Sequence, residues 1–113
     1  MDCIFCKIAN KEINGDLVYE DEDIVVFKDI NPVAPVHLLV IPRQHISSIM
    51  EIDKSEDGLT AGIFKIIRKI AKEMKIDQEG FRVVMNTGDG AGQSVKHLHF
   101  HILGGRKFTW PPG

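Results

Sequence analysis

Long hydrophobic runs are missing from this chain of 113 residues. The longest, Val36 to Ile41, carries a histidine and stops at Pro42, well short of the ~20 residues a membrane-spanning helix needs. No membrane partner is therefore expected. The amino-terminal stretch MDCIFCKIANKE has no basic segment leading into an apolar one, so no secretory signal is visible. Positive charge is not in excess either: 14 Lys and Arg stand against 16 Asp and Glu, a net −2, with both signs mixed along the chain. Without a basic stripe, extended nucleic-acid binding is not expected. Cysteine is limited to two residues, too few for a disulfide scaffold. In a chain without a signal they point to a reducing, cytoplasmic setting, where a close pair more often binds metal or turns over redox equivalents than braces the fold. Repeats, linkers and low-complexity stretches are also lacking. With 43% apolar and 27% charged residues, residues 1–113 read as a single globular domain.

What the chain does hold is histidine. There are five, and three fall within five residues.

The hydrophobic pattern predicts an α+β domain built on an antiparallel sheet. A short helix is expected over Cys3 to Lys11, with Ile4, Phe5 and Ile8 on one side, stopped by the turn residues Asn14 and Gly15. Leu17 to Glu20 and Ile24 to Asp29 read as a hairpin around Asp21-Glu22-Asp23. Asn31, Pro32 and Pro35 form a rigid loop before a buried strand, His37 to Ile41, closed by Pro42. Leu59, Ile63, Ile66, Ile67, Ile70, Ala71 and Met74 recur at helical spacing, which predicts one long helix capped by Asp53 or Ser55 and left at Gly80. Phe81 to Met85 and Val95 to Leu103 read as extended, joined by a glycine-rich loop, Asn86 to Gln93. The tail Trp110-Pro111-Pro112-Gly113 is irregular.

The chemistry centres on His97-Leu98-His99-Phe100-His101-Ile102-Leu103. Extended backbone alternates its side chains, so the three histidines share one face, while Leu98, Phe100 and Ile102 share the other and pack on a core. An H-x-H-x-H pattern arises by chance about 0.01 times at this composition, so the match is informative. Three neighbouring imidazoles suit either a transition metal or an anion, the latter with one ring as nucleophile and the others as donors. The preceding loop, with Gly88, Gly90 and Gly92 alternating, favours the anion, because glycine lets backbone N–H groups approach a phosphate.

With these residues in view, the chain resembles the histidine triad nucleotide-binding family. The resemblance rests on the triad with its two following apolar residues. It extends over Ile4-Phe5 with Lys7-Ile8, Phe27-Lys28-Asp29-Ile30, Ala34-Pro35-Val36-His37, Val40-Ile41-Pro42, His45-Ile46, Asn86, Gly92-Gln93-Ser94, Leu103-Gly104-Gly105 and Trp110-Pro111-Pro112-Gly113. The tail is similar to that of the nucleoside phosphoramidase branch rather than the dinucleoside polyphosphate branch. The resemblance implies a five-stranded antiparallel sheet with one long helix and a short N-terminal helix, and a homodimer paired through the long helix and a sheet edge. It implies a purine nucleotide ligand, AMP-like or GMP-like.

It also assigns roles. His99 matches the nucleophile that attacks the α-phosphorus and forms a nucleotidyl-histidine. His101 and His37 match groups that hold or polarise the phosphate. Asn86, Gly92, Gln93 and Ser94 match the surroundings of the phosphate and leaving group, Ser94 or a protonated imidazole being the acid for a departing amine. Asp29 matches the acid on the ribose hydroxyls, although an aspartate before Asn-Pro also serves to cap that turn. Phe5, Ile8, Phe27 and Ile30 match the apolar clamp on the base.

Cys3 and Cys6 form C-x-x-C, half of a tetrahedral zinc site. Some bacterial members of the family resemble this chain in adding a histidine after I-P-x-x-H, here His45, and the first triad histidine, here His97. The resemblance thus implies a structural zinc on Cys3, Cys6, His45 and His97 that catalysis does not require. A redox dithiol and a pair of inert buried cysteines are the competing readings. The function implied is hydrolysis of nucleoside phosphoramidates. The alternatives are a dinucleoside polyphosphate hydrolase, a nucleotide-binding adaptor, and a metal oxygenase, which the lack of a carboxylate near the triad disfavours.

Overall fold

A computed structural model describes residues 3–113. The chain runs α1 (Ile4–Ala9), β1 (Leu17–Glu20), β2 (Ile24–Lys28), β3 (Val36–Pro42), α2 (Asp57–Glu73), β4 (Arg82–Val84) and β5 (Phe100–Gly104), with short 3₁₀ turns between. The strands form one antiparallel sheet in the order β1-β2-β3-β5-β4. The α+β class, the single long helix and the five strands are as expected. None of the described helices is long and apolar enough to cross a membrane.

Strand alternation gives the sheet two dissimilar faces. Ile24, Val26, Leu38, Val40, Phe100 and Ile102 face α2 and close the main core on Ile63, Ile66, Ile67, Ile70 and Ala71. Val25, Phe27, Leu39 and Ile41 face the other way, onto Cys3, Phe5, Ile8 and Ala9 of the N-terminal segment. Leu39 pairs with His101 and His37 with Leu103, and directly opposed residues point to the same side. The α1 face therefore carries the histidines.

Several boundaries differ from expectation for identifiable reasons. Helix α1 is shorter than Cys3 to Lys11, because Cys3 is its N-cap and the chain leaves it at Asn10. Lys11 adopts a left-handed backbone, φ 60°. Asp53, not Ser55, is the cap, and it caps the 3₁₀ turn Lys54–Glu56 in a reciprocal capping box, from which α2 continues. Gly80 does not end α2. Met74 does, with the N–H of Lys75 on the Lys72 carbonyl and that of Ile76 on the Ala71 carbonyl. Lys75 takes the left-handed position, φ 59°, that glycine usually fills. Pro42 lies inside β3, opposite Ile24.

The largest difference is at the triad. Regular strand begins only at Phe100, so His97 and His99 precede it. Its pairing stops there: β4 ends at Val84, opposite His101, and β3 pairs with β5 no further than Val40 with Phe100, although β3 runs on to Pro42 against β2. The Leu98 N–H goes instead to the Ile46 carbonyl, 2.6 Å. The side-chain alternation nevertheless persists, with Leu98 in the core under α2 and the histidines on the opposite side.

Candidate active site and metal centre

Three imidazoles meet on one face of the β3–β5 pair. His99 and His101 have ring centroids 5.1 Å apart, and His37 and His101 5.2 Å apart. Their hydrogen bonds settle the tautomers, because a carbonyl only accepts and a backbone N–H only donates. His99 Nδ1 lies 2.7 Å from the His97 carbonyl, so it carries the proton and Nε2 keeps its lone pair. His37 Nδ1 accepts the Val33 N–H at 3.1 Å, so the His37 proton sits on Nε2. That Nε2 faces His101 Nδ1 at 2.9 Å and Asp29 Oδ2 at 3.3 Å. His101 Nδ1 is thus an acceptor, which leaves its Nε2 as an N–H donor. One ring presents a lone pair and its neighbour a donor.

Burial favours the neutral form of His37 and His101. His101 is pushed down to about 4 by desolvation and by the neighbouring His99 and His37. His37 lies below the usual imidazole value through burial, which Asp29 partly opposes. The structure does bring a carboxylate to the triad, Asp29, contrary to the reasoning that set a metal oxygenase aside. Asp29, His37 and His101 fall within ligating distance of one another. The Val33 amide speaks against a metal there: it occupies His37 Nδ1, so Nε2 bears a proton and has no lone pair to give.

A cavity of about 570 Å³ opens beside this cluster. Of the residues matched to nucleotide contacts, Phe5, Ile8, Phe27, Asp29, Ile30 and Ser94 line it. Phe5 and Phe27 meet edge to face, centroids 5.4 Å apart, and Phe5 also abuts the His99 ring at 5.1 Å. Asp29 divides its carboxylate. Oδ1 takes the Asn31 N–H at 2.8 Å, the turn-capping role, and Oδ2 reaches His37. Asn86, Gly92, Gln93 and the histidines lie outside the cavity lining. Leu39, Val95, Ile13, Asp16 and Lys28 belong to the lining and were not anticipated. Leu39 was within reach, since alternation in β3 places it on the His37 face.

The glycine loop differs from an open amide cradle. Gly88 and Gly92 have φ of +84° and +87°, as such a loop requires. However, the N–H groups of Ala91, Gly92 and Gln93 bond to carbonyls of Gly88 and Asp89, and the Gly88 N–H goes to Gln93 Oε1 at 2.9 Å. The Gln93 amide is spent in the same way: Nε2 donates to the Ser47 carbonyl at 2.7 Å and to the Val95 carbonyl at 3.1 Å. Buried and fully bonded, Gln93 ties the loop to the Ser47 and Val95 backbone and offers no free donor to a ligand.

The second cluster is Cys3, Cys6, His45 and His97, whose ligand atoms lie within 4.8 Å of one another. His97 is completely buried. Its Nε2 faces the Pro42 carbonyl at 2.8 Å and so carries the proton, which aims the Nδ1 lone pair at Cys3 Sγ, 3.3 Å, and Cys6 Sγ, 3.5 Å. His45 Nδ1 is 3.3 Å from Cys6 Sγ. A tetrahedral zinc with ordinary Zn–S and Zn–N bonds has S–N edges of about 3.6 Å. The residues fit the ion. Burial and the Cys3 thiol push Cys6 up to about 11, so with no cation present it is a thiol.

This fold, with a histidine strand and a cavity beside it, defines a class, and comparison with known proteins identifies it. The family described as "Scavenger mRNA decapping enzyme C-term binding" matches residues 2–109. A HIT-like protein of Synechococcus elongatus is 46% identical over 112 residues, 99% of this chain and 97% of that one. Among solved structures, a HIT family hydrolase from Legionella pneumophila is 46% identical with a TM-score of 0.97, covering 99% of this chain and 100% of its own. A histidine triad protein from Clostridium difficile is 53% identical with a TM-score of 0.93, over 96% and 95%. The chain belongs to the histidine triad (HIT) family.

Proposed function

We propose that this protein is a hydrolase of purine nucleoside 5′-phosphoramidates or related nucleotidyl conjugates. The observation that carries the reading is the tautomer pair: His99 presents a bare Nε2, held in place by Nδ1–H on the His97 carbonyl, beside the Nε2–H of His101. The base lies between Phe5, Ile8, Phe27 and Ile30, with the ribose towards Asp29. His99 Nε2 bonds to the α-phosphorus while the P–N bond breaks, and the amine leaves with a proton passed through the Ser94 hydroxyl, which solvent water replaces. Water then cleaves the nucleotidyl-histidine, releases the nucleoside monophosphate and restores His99. Splitting the displacement lets one group act as nucleophile and then as leaving group. His101 donates to a phosphoryl oxygen where negative charge gathers. Structural neighbours that are HIT family hydrolases support this reading.

Zinc on Cys3, Cys6, His45 and His97 would add folding free energy by tying the N-terminal segment to the triad. The working unit in this reading is a cytoplasmic homodimer of one-domain chains. Its motive is the β4 edge and the exposed apolar side chains Phe64 and Trp110.

The test is hydrolysis of adenosine 5′-phosphoramidate by the wild type and by His99→Ala. Turnover by the wild type alone supports the histidine nucleophile. Tight AMP binding without turnover makes the chain a nucleotide-binding module. Preference for a dinucleoside polyphosphate moves it to the other enzymatic branch.

A further inference from the structure

We infer that the Cys3/Cys6/His45/His97 centre and the nucleotide cavity are energetically coupled, so that metal in the first tightens binding in the second. The inference rests on the proposed nucleotide and zinc readings and joins them. Two structural routes connect the sites. The first is α1. Cys3 caps this helix, with the Cys6 N–H 3.4 Å from its Sγ, and Cys6 lies within it. Between the two sits Phe5, whose ring lines the cavity and abuts both His97, centroids 6.0 Å apart, and His99, 5.1 Å apart. Ile4 and Ile8 of the same helix line the cavity as well. The same six residues thus carry a metal ligand and one wall of the ligand site.

The second route is His97. Its ring is gripped by the Pro42 carbonyl on one side and the two thiols on the other. Its own carbonyl holds His99 Nδ1 at 2.7 Å. Fixing the His97 ring therefore fixes the acceptor that orients the His99 ring.

The sign follows from what holds α1. A six-residue helix has no stability of its own. Its C-terminal end is anchored by the Arg43 guanidinium on the Ala9 carbonyl, 2.5 Å. Its N-terminal end is anchored by packing and by the cysteines. An ion bonded to Cys3, Cys6 and His97 removes the remaining freedom of that end, and a nucleotide entering afterwards orders less of the protein on binding. Coupling is reciprocal, so the nucleotide must retain the ion by the same factor.

The experiment measures both directions. AMP affinity is titrated calorimetrically on zinc-loaded and chelator-stripped protein, and zinc transfer to a chromophoric chelator is followed with and without AMP. Couplings of this kind are typically about fivefold or more, and that factor is expected in both measurements. Equal AMP affinity within twofold overturns the inference, as does zinc transfer indifferent to AMP.

Should the stripped protein unfold, His45→Asn takes its place, since of the four ligands His45 alone lies outside both routes and the cavity lining, although its ring meets Cys6 and His97. Phe5→Leu tests the route. It should weaken AMP binding and bring the loaded-to-stripped ratio towards one, and an unchanged ratio refutes α1 as the connection. Failure of the parent readings is distinguishable: AMP binding to neither form overturns the nucleotide reading, and protein that retains no zinc overturns the metal reading.

Discussion

Replacing Gln93 with glutamate exchanges one NH₂ for an oxygen at constant volume, and its effect can be worked from the bonds that NH₂ makes. Gln93 is 4% exposed. Its Nε2 donates to the carbonyls of Ser47 and Val95 at 2.7 and 3.1 Å, while Oε1 accepts from Gly88. In Gln93→Glu the Gly88 bond survives, but two buried carbonyls face an anionic oxygen. Two lost bonds are worth roughly 2 kcal/mol together, and each orphaned buried acceptor adds about 1 kcal/mol or more. The folded protein limits this cost by taking up a proton on the new carboxyl, which restores one donor. The expected loss is about 3–5 kcal/mol at pH 7.5, a large share of a small domain's stability. Proton uptake by the folded state gives a second signature: the deficit should shrink by about 1 kcal/mol for each pH unit between 7.5 and 5.5. Urea unfolding at several pH values reads both. A loss below about 1 kcal/mol, or impaired hydrolysis with stability intact, would mean that the amide faces the ligand and not the loop, and the reasoning fails.

Chelator-stripped protein should melt below the zinc-loaded form, and Cys6→Ser should abolish that difference, both read by calorimetry with and without added zinc. His101 has a folded-state pKa near 4, below its unfolded value. Its contribution is therefore complete above about pH 6.5 and lost as pH falls towards 4, since the unfolded chain takes a proton that the folded site refuses. Between pH 7 and 4.5 the wild type should lose about 2 kcal/mol more than His101→Gln in urea unfolding, and parallel curves would refute the burial argument. A Cβ on Gly104 would lie 2.8 Å from two Ile76 side-chain atoms. Gly104→Ala should accordingly cost about 1–3 kcal/mol, and a neutral result in the same assay would show that Ile76 moves freely.

Much of this protein was legible in its residue order. The spacing of Leu59 to Met74 is enough for α2, because only a helix gathers those side chains on one side. Alternation in residues 97–103 separates core from site even where the backbone is not formally a strand, since any extended segment alternates. The β1–β2 turn at Asp21 to Asp23 and the membership of the C-x-x-C pair in a four-residue cluster were visible as well.

Other features depend on partners that leave no mark in the sequence. The strand starts at Phe100 because β4 ends beside it and the Leu98 N–H turns away to the Ile46 carbonyl. Lys75 stands in a left-handed position because Ile76 beyond it is drawn into the core. A glycine-rich loop announces freedom of the backbone, but whether its amides turn outward was decided by Gln93, whose three bonds draw on residues as distant as Ser47.

The triad itself divides along the same line. The sequence by itself determined that His97, His99 and His101 share a face, because side-chain direction follows from backbone geometry alone. Tertiary structure decided which ring nitrogen of each carries the proton. Backbone groups remote in the chain, the Pro42 carbonyl and the Val33 amide, act with the His97 carbonyl to leave His97 a bare Nδ1 towards the cysteines, His99 a bare Nε2 and His101 an Nε2–H. A backbone N–H or C=O is chemically the same at every position, so its reach to an imidazole emerges only when the chain is folded.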